Sequence, residues 1–296
     1  MKKLLILLTL IIFSSIDSPI YSQEKMGVSG SVDWETMRFS AEVTLDLASV
    51  GLKLPAGRTQ AESILSANYL SLLRPFLLEL QADSSSTIGD LVSRGEYTLS
   101  QADTIVLEGN SVPPAMRPDL RRMSASHTIL LSNLSASLMR HNRPSRIFRT
   151  LSPVSSASYT GIIIIAAEAL PVYAMTGTAF PVPCLFPKIW DSDMNLVYER
   201  NTLEAHHVTM VQYSSLDKIF RNNPSGLTPE LRQIAGDRPL RIFACGVFGI
   251  NPTDLIIDRN DALTIISSEE NRRLLSQGKV VIILDDSVLR YEFSGE

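Results

Sequence analysis

Between Met37 and Leu47 apolar and polar positions alternate. Phe39, Ala41, Val43 and Leu45 fall on one side, and Arg38, Ser40, Glu42 and Thr44 on the other. A period of two predicts a half-buried β-strand. After a turn from Gly51 to Gly57 the period changes. Ala61, Ile64, Leu65, Asn68, Leu72, Leu73, Phe76, Leu77 and Leu80 recur at helical spacing and predict a long helix with one buried stripe. Pro75 lies inside that helix. Proline removes a backbone hydrogen bond and crowds the carbonyl one turn back, so a kink near Leu72 is expected. The stripe reads as core rather than partner surface, because this helix must cover a sheet.

Ser84 to Thr87 form a polar corner that supplies an N-cap, with Asp90 in the acidic first turn of a short helix over Ile88–Ser93. Tyr97 to Leu107 reads as a strand or a pair of strands. Val112 to Arg122 is loop-like, with adjacent prolines. The leucine spacing from His127 to Met139 fits both strand and helix, and strand is favoured.

The Ser-rich stretch Leu151–Ser158 marks the boundary between two modules. Beyond it, Ile162 to Ile165 form an apolar run that predicts a strand buried on both faces. Pro171–Pro187 is a proline-rich loop, and Lys188–Tyr198 reads as a hairpin. Short helices are expected at Leu216–Phe220 and Pro229–Ala235, and strands at Arg241–Val247 and Leu255–Ile257. Asn260 caps an expected helix over Asp261–Ser276, followed by a strand over Val280–Leu284. Asp285 to Glu296 are expected to trail outward. The chain therefore reads as α+β: two α/β modules, 23–150 and 151–296, each a small, mostly antiparallel or mixed sheet covered by one long helix. The second sheet is expected to have four or five strands.

Composition adds a compartment. The 296 residues are 45% hydrophobic and 20% charged, enough to bury a real core, and the net charge of -4 argues against a nucleic-acid partner. Lys2 and Lys3 precede an apolar run, Leu4–Phe13, and then a polar stretch to Ser22. That order predicts a secretory signal peptide cleaved after Ser22. The run is shorter than the roughly 20 apolar residues that cross a bilayer. No Cys lies near the cleavage point to carry a lipid anchor. The expected compartment is a bacterial periplasm.

Cys184 and Cys245 could close a disulfide there or stand as two buried thiols, and the sequence leaves both readings open. Arg117, Arg121, Arg122, Arg140, Arg143, Arg146 and Arg149 form a basic run. It reads either as an interaction patch for an anionic group or, more plainly, as a solvated face.

Signals for chemistry are sparse. Phosphate loops, zinc-protease motifs and nucleophile elbows are missing from the sequence, and so is CxxC. Glu204-Ala205-His206-His207 pairs acid and imidazole, but adjacent histidines on a strand point to opposite faces. Asp191, Asp193 and Asn195 have the alternate spacing of part of a calcium loop without its closing residues. No catalytic residue, cofactor or metal is expected.

Ala61-Glu62-Ser63, Ala67 to Leu73, Ala82 to Asp90 and Ile105 to Gly109 together resemble the LPP-type bacterial envelope lipoprotein family, which includes the FlgP-like flagellar basal-disk proteins. The second half is similar to a C-terminal module of larger exported relatives, through Tyr159–Ile164, Pro187–Asp191, Thr253–Ile257 and Gly278–Asp285. Here the lipid-bearing Cys is missing and Pro75 interrupts the helix. The resemblance implies a non-enzymatic periplasmic structural or assembly protein of the flagellar motor or outer envelope. Its partners would be other envelope or flagellar proteins or further copies of itself. The alternatives are a small-ligand-binding module with Pro171–Pro187 as a lid beside Ile162–Ile165, and a hydrolase using Glu168, Asp191 or His206.

Overall fold

The computed structural model describes residues 26–141, 143–147, 150, 154–204, 207, 209–220 and 227–295. The expected leader, Arg149 and His206 lie outside them. Among the described residues no helix is long and apolar enough to cross a membrane.

The first module opens with a hairpin of β1 (Met26–Asp33) and β2 (Arg38–Asp46), paired from Met26↔Leu45 to Asp33↔Arg38. In β2 the expected residues, Phe39, Ala41, Val43 and Leu45, are the buried ones. β1 was not legible in the sequence, because its serines and glycines blur the alternation. α1 (Arg58–Leu78) follows and buries Ala61, Ile64, Leu65, Leu72, Leu73 and Leu77 on the sheet. It is assigned as one helix, with Pro75 in its last turn. A small ribbon, β3 (Gln81–Asp83) and β4 (Ser86–Thr87), leads into α2 (Ile88–Ser93). Thr87 and Asp90 form a reciprocal capping box at the start of α2.

The strand expected over Tyr97–Leu107 is instead α3 (Leu99–Leu107). Thr98 and Gln101 make a second capping box, and Ala102, Ile105 and Val106 turn to the core at helical spacing. The capping box and the helical spacing of these three residues decide for helix. β5 (Asn110–Met116) is an edge strand that bulges at its two prolines. Prolines are tolerated there because one side of an edge strand has no neighbour to bond. β6 (Arg122–Leu130) pairs with β2, and the chain then turns into α4 (Leu131–Leu138), so the segment read as strand is half of each.

The second module contains β7 (Ile162–Ile165), a hairpin of β8 (Leu170–Pro171) and β9 (Thr178–Ala179), β10 (Ile189–Asp191), β11 (Leu196–Tyr198), β12 (Gln212–Ser215), α5 (Leu216–Phe220) and α6 (Pro229–Ala235). It continues with β13 (Leu240–Phe248), β14 (Asp254–Ile257), α7 (Arg259–Ser267), α8 (Glu269–Ser276) and β15 (Val280–Leu284). Its mixed sheet has seven strands in the order β11-β10-β14-β13-β7-β15-β12, wider than expected. β7 sits inside it, parallel to both β13 and β15. Ile162 and Ile164 face the main core, while Ile163 and Ile165 face a second cluster with Leu227, Leu231 and Ala235.

The helix expected over Asp261–Ser276 is two helices. Ser268 ends α7 and caps α8. The break seats Asn271, which is fully buried. Its amide nitrogen lies within 3.1 Å of Ser156 Oγ, Ala157 O and Thr264 O, and its Oδ1 accepts from Tyr159 N.

The tail does not trail outward. After α9 (Asp286–Leu289), β16 (Arg290–Gly295) joins the first sheet antiparallel to β1, giving the order β16-β1-β2-β6-β5. Phe293 holds it there, stacked on Phe76 at 4.5 Å and on Phe39 at 5.0 Å. One apolar core runs through both modules.

Candidate functional site at the module junction

The corner between β3 and β4 projects into the second module. Leu185 N donates to Gln81 O and Phe186 N to Ala82 O, so the ribbon gains a short backbone ladder from the proline-rich segment. Ser84, next in the chain, donates to Asp254 Oδ2 at 3.1 Å. Trp190 Nε1 donates to the same oxygen at 3.2 Å, while Lys188 N and Thr253 Oγ1 donate to Oδ1. Asp254 is fully buried, and burial raises its pKa against the lowering pull of these donors. A buried carboxylate needs such donors, so its position is fixed by groups from both modules. Gly249 makes room for the corner: it has φ +114°, and a Cβ there would run into Ser84 Cβ.

A second lock forms at the β1–β2 turn. Trp34 is buried, packs edge-on to Tyr213 at 5.9 Å, and its backbone N–H donates to Leu289 O at 2.9 Å. Glu35 accepts from Ser215 N and Ser214 Oγ and pairs with Lys218 at 3.0 Å. The Gln212 side chain donates to Glu35 O. A third contact runs along the chain after α4, where Ser145 N donates to Asn201 O and the His141 ring nitrogen Nε2 meets Leu203 O at 2.8 Å.

Residues 25–137 match the family model for the N-terminal domain of Treponema pallidum Tp0624, and residues 161–286 match the model for its second domain. The chain carries the two Tp0624 modules in order. No curated protein matches it. Neither match ties the chain to the LPP-type or flagellar proteins that Ala61–Gly109 resembles. Ile105 to Gly109, one of the stretches that carries that resemblance, holds the end of α3.

Among the described residues, most of the side chains singled out by sequence take no part in the Ser84–Asp254 and Trp34–Glu35 contacts, and Cys184 lies nearest to them. Cys184 is buried and Cys245 is exposed; both are free thiols. Tyr213 OH donates to Cys184 O at 2.9 Å, and burial pushes the Cys184 thiol pKa far up. The arginines do not form one patch. Arg117 pairs with Glu42 and Arg122 with Asp119, on the first sheet. Arg140, Arg143 and Arg146 are exposed on the stretch leading to the second module.

Glu168 is exposed beyond β7. Asp191 is buried and spends both oxygens on its own turn, accepting from Asp193 N, Asn195 N and Asn195 Nδ2. The Asp-x-Asp-x-Asn spacing thus builds the β10–β11 hairpin. Pro171–Pro187 is pinned by Tyr173 N to Val247 O, Val182 N to Pro252 O and the ladder on β3. Sequence reasoning missed Asp254, Ser84 and Glu35. Each becomes meaningful only through a partner more than a hundred residues away.

The first sheet leaves one face open. Ser294, Ser29, Glu42 and Ser126 lie in one row across it, and Glu292, Ser31, Ser40 and Thr128 in the next. Shallow troughs of about 510 and 730 Å³ lie along these rows.

Proposed function

We propose that this chain is a non-enzymatic structural or assembly protein of the bacterial envelope, exported to the periplasm, that holds two modules in one fixed geometry. The observation that carries this reading is the return of β16 into the first sheet. Together with the Ser84–Asp254 lock it ties the two modules at two separate places. Shared apolar core and backbone pairing across modules suit a part that transmits shape rather than one that opens and closes. The open serine and threonine face of the first sheet is the surface offered to a partner, either another envelope protein or a further copy of the chain. A place at the flagellar motor is the finer reading, and it is supported by the LPP-type resemblance of Ala61–Gly109.

The test is where a tagged full-length copy sits in the cell and what its deletion does. Discrete motor foci with lost motility support the flagellar reading, and an even envelope distribution with weakened envelope integrity supports the general one. A cytoplasmic copy with a wild-type deletion phenotype would overturn both.

A further inference from the structure

The first sheet has two edges, and they differ. β5, at one end, carries Pro113 and Pro114 and is bulged between Val112 and Ala115. Prolines and bulges keep a strand edge from accepting a further strand. β16, at the other end, has neither. Its register with β1 is unbroken from Val28↔Gly295 to Asp33↔Arg290.

The pairing fixes which main-chain groups point outward. Trp34 N donates to Leu289 O, one residue before β16. Hydrogen-bonded positions alternate along an antiparallel pair, so Tyr291, Phe293 and Gly295 turn their N–H and C=O toward β1. The bond from Leu131 N to Met37 O sets the same phase from the far side of β2. Arg290, Glu292 and Ser294 therefore turn their N–H and C=O away from the sheet. Among the described residues none of these groups has a hydrogen-bond partner.

The side chains say what fits there. Arg290 and Glu292 are both exposed on the open face, and neither has an ion-pair partner among the described residues. Asp33, across from Arg290 on β1, accepts instead from Thr36 N. Tyr291, between them on the opposite face, is 42% exposed. An edge bearing one sign of charge would repel a copy of itself. Arg-Tyr-Glu does not. In an antiparallel pair turned about Tyr291, each Arg290 stands directly opposite the Glu292 of the other copy, on the same face. In that register the outward groups of Arg290 and Glu292 meet as hydrogen-bonded pairs, and Tyr291 meets its copy at the closer, non-hydrogen-bonded position.

We propose that the β16 edge is a self-association surface, where a second copy of this chain pairs its own β16 antiparallel about a two-fold axis at Tyr291. The two five-stranded sheets then run on as one. The interface is isologous, so association closes at a dimer. This surface is the edge of the first sheet, distinct from its open face, and it does not depend on an envelope role.

The test is sedimentation equilibrium of the purified chain over a range of concentrations. Wild type is expected to form a species of twice the monomer mass. Arg290→Glu places acids opposite acids, and Glu292→Arg places bases opposite bases, so each alone should weaken the dimer about tenfold or more. Mixed in equal amounts, the two variants should recover a dimer, because every Glu then faces an Arg. Glu292→Pro removes an outward N–H and leaves the bonds to β1, so it should give a monomer with the circular dichroism of wild type. A wild type that stays monomeric at every concentration overturns the proposal and leaves the edge to a strand of another protein. So does a dimer that both charge changes leave intact, or a mixture of the two variants that stays monomeric.

Discussion

Ser84 Oγ, in the first module, donates to Asp254 Oδ2, in the second, at 3.1 Å, with both residues buried. A hydrogen bond to a buried carboxylate is worth about 1.5–3 kcal/mol. Ser84→Ala should therefore lower the urea unfolding free energy by about that much. Asp254→Ala should cost more, because it strands Trp190 Nε1, Lys188 N and Thr253 Oγ1 as well. Because the modules share a core, both variants should still unfold in one transition. A Ser84→Ala midpoint equal to wild type would show that the lock contributes nothing.

Gly249 is the backbone condition for that contact. Its φ of +114° disfavours any side chain, and a Cβ would meet Ser84. Gly249→Ala should destabilise by about 1–3 kcal/mol from the conformation alone. In a Ser84→Gly background, which removes the Cβ that the new methyl would meet, part of the added cost should vanish. Strict additivity in a double-mutant cycle would count against the coupling.

Phe293 anchors β16 between Phe39 and Phe76. Phe293→Ala should cost about 3 kcal/mol, the lower end for a core phenylalanine because this ring is half-buried. Hydrogen exchange should report the loss first in β16 and β1. Protection that falls uniformly over the second module instead would place the anchor elsewhere.

Burial lowers the pKa of His127 below its ordinary 6.5, and the bond to Val106 O opposes this without reversing it. The unfolded chain then takes up the proton first as pH falls past about 6.5, so stability declines from there and levels off below the depressed folded value. His127→Gln keeps a donor for Val106 O and cannot titrate. The stability gap between wild type and this variant should therefore shift in favour of the variant between about pH 7 and pH 5. A gap that is flat in pH would show that His127 is not held neutral.

Cys245 is exposed, and partial burial together with Asp258 and Asp261 raises its pKa, while the fully buried Cys184 is raised much further. A maleimide should label one site on the native protein, slowly at neutral pH and faster as pH rises. The second site should appear only on unfolding. Mass spectrometry of tryptic peptides reads this directly. Two labels on the native protein, or none because the thiols are paired, would contradict the structure.

Much of the local structure was legible in the residue pattern. Period two gave β2, period near 3.6 gave α1, and the capping pair Thr87 and Asp90 gave α2, because each depends on neighbours within a turn or a strand. The same reasoning misread Leu99–Leu107, where a capping box and helical spacing decide for helix. It also read through Ser268, because the need to bury Asn271 against the linker is not a local property.

By itself the sequence determined two α/β modules, a central isoleucine strand and a polar corner at Ser84–Thr87. Hydrophobic periodicity and caps act over a few residues and are written in order along the chain. Only the tertiary structure decided that Arg290–Gly295 extends the first sheet, that Asp254 is the acceptor for that polar corner, and that His127 is buried against Val106 O. Those pairings join residues far apart in sequence. Their energy comes from packing and desolvation, which exist only once the two modules have folded against one another.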